Sequence, residues 1–186
     1  MLRDRLTCPT PSSNTAPGAD LIRLWERLPD QPWLIGSAGD THSSFQPLTL
    51  MYETFEHTAD LGLRARAATL DELFADMARA LTATLVEDMA AVRPRATLRL
   101  RIEGNDTALL LFDWLNELLY RFDAEGWLFA DFAVRVSNDG LEAEARGEPV
   151  DTSRHRLDHE VKAITYHGLA VERTPDGWLA EVIVDI

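Results

Sequence analysis

The sequence predicts an α+β protein made of two nested strand–helix–strand–strand units with antiparallel or mixed sheets, preceded by a largely disordered N-terminal extension. Three observations predict it. Alternating and 3.6-residue apolar patterns follow one another from Met51 onward, separated by turn and cap signals. Asn138-Asp139-Gly140 and Pro175-Asp176-Gly177 join strand-like runs into pairs. The order strand, helix, strand, strand occurs in residues 97–146, and the same order is completed around it by 52–86 and 161–186. The letters of the inner and outer units are too dissimilar to call them a repeat.

Residues 1–50 differ from the rest. They hold six of the 9 prolines (Pro9, Pro11, Pro17, Pro29, Pro32 and Pro47) and a polar run from Thr7 to Pro17. Ala19 to Leu28 has the spacing of a short amphipathic helix that Pro29 stops. The remainder lacks the apolar density to offset chain entropy. Met51 stands directly before the first strand, which makes it an alternative start of translation. The domain is therefore read as 51–186.

Within it, Tyr52–Glu56 and Leu61–Ala67 read as strands. Thr69-Leu70-Asp71-Glu72 is a capping box, in which hydroxyl and carboxylate each take an orphan N–H. Behind it Leu70, Leu73, Phe74, Met77, Leu81 and Leu85 share one helical face. Thr97–Glu103 alternates, with Leu98, Leu100 and Ile102 on one side. Asn105 or Asp106 then caps a second helix running to about Phe122, whose polar residues Asp113, Asn116, Glu117 and Arg121 form a narrow stripe. Strands follow at about 128–136, 141–145, 161–172 and 178–184.

Composition narrows the function. The chain has a formal net charge of -13, which disfavours direct strong binding to nucleic acid, since phosphate contacts by Lys and Arg supply most of that affinity. Acidity suits hard cations, a basic protein partner, or plain solubility. The longest apolar run, Ala108–Phe112 continuing through Trp114 and Leu115, is broken by Asp113, far below the roughly 20 residues of a membrane span. There is no secretory leader pattern, and Cys8 is the only cysteine, so a cytoplasmic location without disulfides is expected. Of the 18 basic residues only Lys162 is lysine.

Polar residues gather at three places. In His57-Thr58-Ala59-Asp60-Leu61-Gly62 a turn alone explains Thr58, Asp60 and Gly62. The run from His155 to His167 holds His155, His159, Lys162 and His167. These histidines either bind zinc or are ordinary structural and exposed residues, and no HExxH motif favours the metal. Lys162 is either an acid–base or Schiff-base lysine or a surface lysine. At the third place a strand ending in Val184 delivers the carboxylates of Asp185 and of the last residue, Ile186. Unless they are merely solvated, two such groups call for a cation between them; calcium, with 6 to 8 oxygens at about 2.3–2.6 Å, suits them, with Asp60 added. No nucleophile elbow or glycine-rich phosphate loop is present, and no catalytic residue is assigned.

Five segments in register, HTADLG (57–62), DELFADMARAL (71–81), LLLFDWLNELLYRFD (109–123), VKAITYH (161–167) and the terminal VIVDI, are similar to the archease family. The resemblance covers about 51–186 and leaves 1–50 without a counterpart. It implies a nested fold and a non-enzymatic role as activator of the RtcB-type RNA ligase of tRNA splicing and RNA repair, promoting that ligase's guanylylation and multiple turnover. It also implies a divalent metal, calcium above all, on Asp60, Asp185 and Ile186. His57, Lys162 and His167 become candidates for partner contact. The competing expectations are a stand-alone metal-dependent hydrolase and a general chaperone or adaptor for RNA-processing enzymes.

Overall fold

A computed structural model describes residues 52–57 and 60–186, apart from the His57 side chain. These residues all lie in one compact unit. The extension 1–50, its proposed helix at 19–28 and the alternative start at Met51 fall outside the described residues, as do Thr58 and Ala59.

The fold is α+β. Its elements are β1 (Tyr52–His57), β2 (Asp60–Ala67), α1 (Leu70–Leu85), β3 (Ala96–Glu103), α2 (Thr107–Glu125), β4 (Trp127–Ser137), β5 (Gly140–Pro149), β6 (Ala163–Ile164), β7 (Ala170–Thr174) and β8 (Gly177–Asp185). A five-stranded sheet runs β1-β2-β8-β6, with β7 also paired to β8, and a three-stranded sheet runs β3-β5-β4. Every pairing among these strands is antiparallel.

The capping box forms: Thr69 Oγ1 accepts from the Glu72 N–H at 3.2 Å, and Glu72 Oε2 accepts from the Thr69 N–H at 3.2 Å. The helix it starts is more deeply buried than one apolar face requires. Ala75, Ala78, Ala80, Thr82 and Thr84 are buried along with Leu73, Phe74, Met77, Leu81 and Leu85. The reason is that α1 packs on β2 and β8 and on β4 of the other sheet, so it has apolar neighbours on several sides. Its two buried threonines keep their hydroxyls satisfied by donating to Ala78 O at 3.2 Å and Ala80 O at 3.0 Å.

Helix α2 is capped by Asp106, whose Oδ1 accepts from the N–H groups of Ala108 and Leu109, both at 3.0 Å, and it extends past Phe122 to Glu125. Its exposed stripe is less polar than the sequence predicts, since Leu109 and Tyr120 are about half exposed. The buried Trp114 donates its indole N–H to Phe74 O of α1 at 3.1 Å and meets the Phe132 ring of β4 edge-on. Both sheets and both helices contribute to one continuous hydrophobic core. The outer face of the three-stranded sheet is a ladder of opposite charges, including Arg99–Glu144 at 3.1 Å and Arg146–Asp131 at 3.0 Å.

The strand predicted over 161–172 is broken in two. From Ile164 to Ala170 the chain advances six residues, whereas β8 advances three between their partners Val184 and Glu181. The surplus forms a bulge at 165–169. It turns on Gly168, whose φ of 65° lies in the left-handed region, where a Cβ would also crowd Ile183.

Candidate functional site

The register of the five-stranded sheet brings the predicted carboxylates together. Leu61 of β2 pairs with Val184 of β8, and Ala163 and Ile164 of β6 pair with Asp185 and Val184 from the other side. Asp60, one residue before Leu61, and Asp185, one residue after Val184, therefore occupy the next rung at the same end of adjacent strands. Side chains alternate along a strand, so Leu63, Ala65, Val182 and Val184 enter the core while Asp60, Gly62, Ile183 and Asp185 take the opposite face. Asp60 and Gly62 are thus strand residues rather than turn residues. At Gly62 a Cβ would fall into the ring of Phe55, its direct partner on β1, and the Arg64 guanidinium lies over that ring at 4.7 Å. His57 pairs with Asp60 at the end of β1.

Lys162 lies one residue beyond that rung, level with Ile186. Its N–H donates to Asp185 O at 2.8 Å, and its Nζ reaches the main-chain oxygen of Ile186 at 2.9 Å. His167 lies one step away, on the bulge. Its carbonyl accepts from the Ile183 N–H at 3.3 Å, and its own N–H donates to Thr165 Oγ1 at 3.2 Å. The Thr165 hydroxyl donates to Ile183 O at 2.8 Å, so side chain and backbone both fasten the bulge to β8. Five of the six predicted site residues, Asp60, Lys162, His167, Asp185 and Ile186, are thus placed within one end and edge of one sheet, and the sixth, His57, ends the adjoining strand.

The other histidines are employed differently. His155 is buried, and its Nδ1 accepts from the Asp151 N–H at 3.0 Å. That bond puts the proton on Nε2, which lies 3.2 Å from Glu148 Oε1 and donates to it. His159 pairs through Nδ1 with Asp158 Oδ2 at 3.2 Å. The N–H groups of Asp158 and His159 donate to Leu85 O at 3.0 Å and Thr84 O at 3.2 Å, covering the otherwise unbonded carbonyls that end α1. Among the described residues no three His, Cys, Asp or Glu side chains gather as a metal-holding group. Asp60, Asp185 and Ile186 offer hard oxygen donors at one end of the β2–β8 pairing, and the Lys162 ammonium stands on the Ile186 main-chain oxygen at 2.9 Å.

Two features were not found from the sequence. The first is a buried ionic knot under the 150–162 loop. Glu148, 3% exposed, takes Arg154 at 2.9 Å and Arg95 at 3.5 Å, accepts from the Arg93 N–H at 2.9 Å, and bonds His155. Arg154 foremost, with the Arg93 and His155 bonds, holds its carboxyl at about 2. The Ser153 hydroxyl and N–H, with Arg154, hold Asp151 at about 2 as well. The close spacing of Glu148, Asp151, Arg154 and His155 was the available signal. The second is Tyr166, which is 63% exposed yet stacks on Phe112 of α2 with ring centroids 3.9 Å apart.

The family model for the Archease protein family matches residues 52–186, all of β1 through β8. The chain belongs to the archease family. It is 42% identical over 139 residues to protein archease of Methanopyrus kandleri, covering 73% of this chain and 99% of that one. Identity to protein archease of Pyrococcus furiosus is 41% over 140 residues, 73% of this chain and 98% of that one. The solution structure of Methanobacterium thermoautotrophicum protein 1598 matches with a TM-score of 0.64 and 35% identity, over 74% of this chain and 99% of that one. An archease crystal structure from Thermotoga maritima, described as a possible chaperone, matches with a TM-score of 0.51 at 20% identity and shares the fold. All five archease-like segments lie within the matched span. No helix among the described residues is long and apolar enough to cross a membrane.

Proposed function

We propose that this archease-family protein activates an RtcB-type RNA ligase in the cytoplasm, promoting guanylylation and repeated turnover of the ligase without itself catalysing the joining of RNA ends. The observation that carries this reading is the convergence of Asp60, Asp185, Ile186 and Lys162 at one end of the β2–β8–β6 pairing. Three hard oxygen donors at one strand end suit a divalent cation, calcium first. They leave most of its coordination positions for water or a partner's phosphate. When bound, that ion supplies positive charge where the ligase handles nucleotide phosphate.

The chain's own residues do the rest. Asp60 and Asp185 present carboxylates on the sheet face turned away from the core. Lys162 offers a compact, mobile ammonium, better suited than a guanidinium to a single phosphate oxygen. His167 is held at the exposed bulge by its backbone bonds to Ile183 and Thr165. The net charge of -13 favours docking on a basic protein surface over docking on RNA.

The test is guanylylation and multiple-turnover ligation by the ligase from the same cell, with no addition, with this protein, and with Asp185→Ala. The expected result is strong stimulation by the unaltered protein and a loss of at least ten-fold with the variant. Equal stimulation by both would remove the carboxylates from the mechanism. The Thermotoga maritima relative's description as a possible chaperone favours a second reading. That reading predicts binding to unrelated unfolded clients and indifference to Asp185.

A further inference from the structure

We propose that Lys162 is the built-in counter-ion of the carboxylate site, and that a divalent cation entering beside Asp60, Asp185 and Ile186 displaces its ammonium and frees it for a phosphate. The inference rests on the carboxylate-site reading above and concerns how that site is switched.

The geometry is specific. The Lys162 backbone is fixed next to the carboxylates by its N–H bond to Asp185 O at 2.8 Å and by the adjoining Ala163–Asp185 pairing. Its side chain therefore begins beside the proposed ligands and folds back onto Ile186 O at 2.9 Å. The residue is exposed, so apolar packing does not hold the stem there. What holds it is attraction to an oxygen-rich corner. A divalent ion on the same oxygen competes directly: an ammonium kept at hydrogen-bond distance from that oxygen would stand about 4 Å from the metal, where the two cations repel.

The identity of the cation on the side chain matters. The chain uses arginine in every other basic position, and Lys162 is its only lysine. A guanidinium would grip two oxygens at once in a planar fork and release them less readily. An ammonium makes single, easily exchanged bonds on a flexible stem. The occupied and free states of the corner would then present different groups outward, bare carboxylates with a tethered lysine in one and a cation with a free lysine arm in the other.

A unique lysine makes the exchange directly observable. Reductive methylation of the full-length protein with carbon-13 formaldehyde labels Lys162 and the α-amine, giving two methyl signals to follow by NMR during calcium titration. Calorimetry of calcium binding is run in parallel on the unmodified protein, Lys162→Met, Lys162→Arg and Asp185→Asn. The expected result is a saturable shift and sharpening of the Lys162 signal that Asp185→Asn abolishes. Lys162→Met should bind calcium roughly ten-fold more tightly, because a competing charge is gone, whereas Lys162→Arg should not gain. A variant that merely damaged the corner would lose affinity instead. Calcium binding with an unmoved Lys162 signal, or weaker binding by Lys162→Met, would overturn the exchange and leave the metal site standing. No binding by either the unmodified protein or Lys162→Met would overturn both.

Discussion

Replacing Trp114 by Phe tests whether the two sheets share one core. The indole is fully buried, its N–H bonds Phe74 O at 3.1 Å, and its ring meets Phe132 edge-on, so one side chain of α2 touches α1 and β4 together. Phenylalanine keeps the six-membered ring but removes the hydrogen bond, a loss of about 1 kcal/mol. The Phe74 carbonyl is not stranded, since a helical carbonyl at that position has its i+4 amide partner. Three heavy atoms also leave a site closed to water, adding roughly 1–2 kcal/mol of lost burial and residual cavity. The expected total is about 2–3 kcal/mol, or roughly 8–12 °C in melting temperature for a domain of this size. Urea unfolding of the full chain followed by far-UV circular dichroism measures it without relying on tryptophan emission. A single transition with unchanged denaturant slope is expected. A loss under about 0.5 kcal/mol, or two separate transitions, would refute the argument that this residue locks the layers together.

Other outcomes follow from the same contacts. Glu148 and Asp151 hold carboxyls at about 2, against ordinary values of 4.5 and 3.8, so the unfolded chain binds more protons than the folded one between those limits. Their contribution to stability is therefore complete above about pH 4.5 and is lost as the pH falls toward 2; Glu148→Gln should flatten that part of a stability-versus-pH curve, and an unchanged slope would count against the knot. Gly62→Ala places a Cβ inside the Phe55 ring and should cost about 1–2 kcal/mol by driving the ring away from Arg64. In a Phe55→Ala background, where no ring is left to displace, Gly62→Ala should cost far less in thermal denaturation.

Much of the fold was legible because it is local. The Thr69–Glu72 box, the Asp106 cap and the Asn138-Asp139-Gly140 hairpin turn are settled by neighbours in sequence, and each stands where the pattern put it. The burial of α1 around most of its circumference was not legible, since Ala75, Ala78 and Ala80 read as neutral until a second sheet is known to cover them. The strand expected over 161–172 failed for a different reason: alternation continues through the letters, but Gly168 takes a left-handed turn that a pattern of polarity does not encode. At the site, the chemical types of Asp60, Lys162, Asp185 and Ile186 were readable. Their meeting depends on β8 lying between β2 and β6, a pairing across more than a hundred residues that no local signal specifies.

Among the described residues the three-stranded sheet has β3 and β4 at its margins, where backbone amides and carbonyls would ordinarily invite another strand. On β4 the Asp71 carboxylate takes the Val136 N–H at 2.8 Å, which uses one of those amides internally. On β3 the exposed Arg99 and Arg101 line the margin just after Pro94, so an incoming strand would have to bury two guanidinium groups and pass a residue with no amide hydrogen to offer. The charge ladder is therefore also a guard against polymerisation. Neutralising Arg99 and Arg101 together should raise edge-to-edge association, read as larger species in light scattering, before it lowers thermal stability.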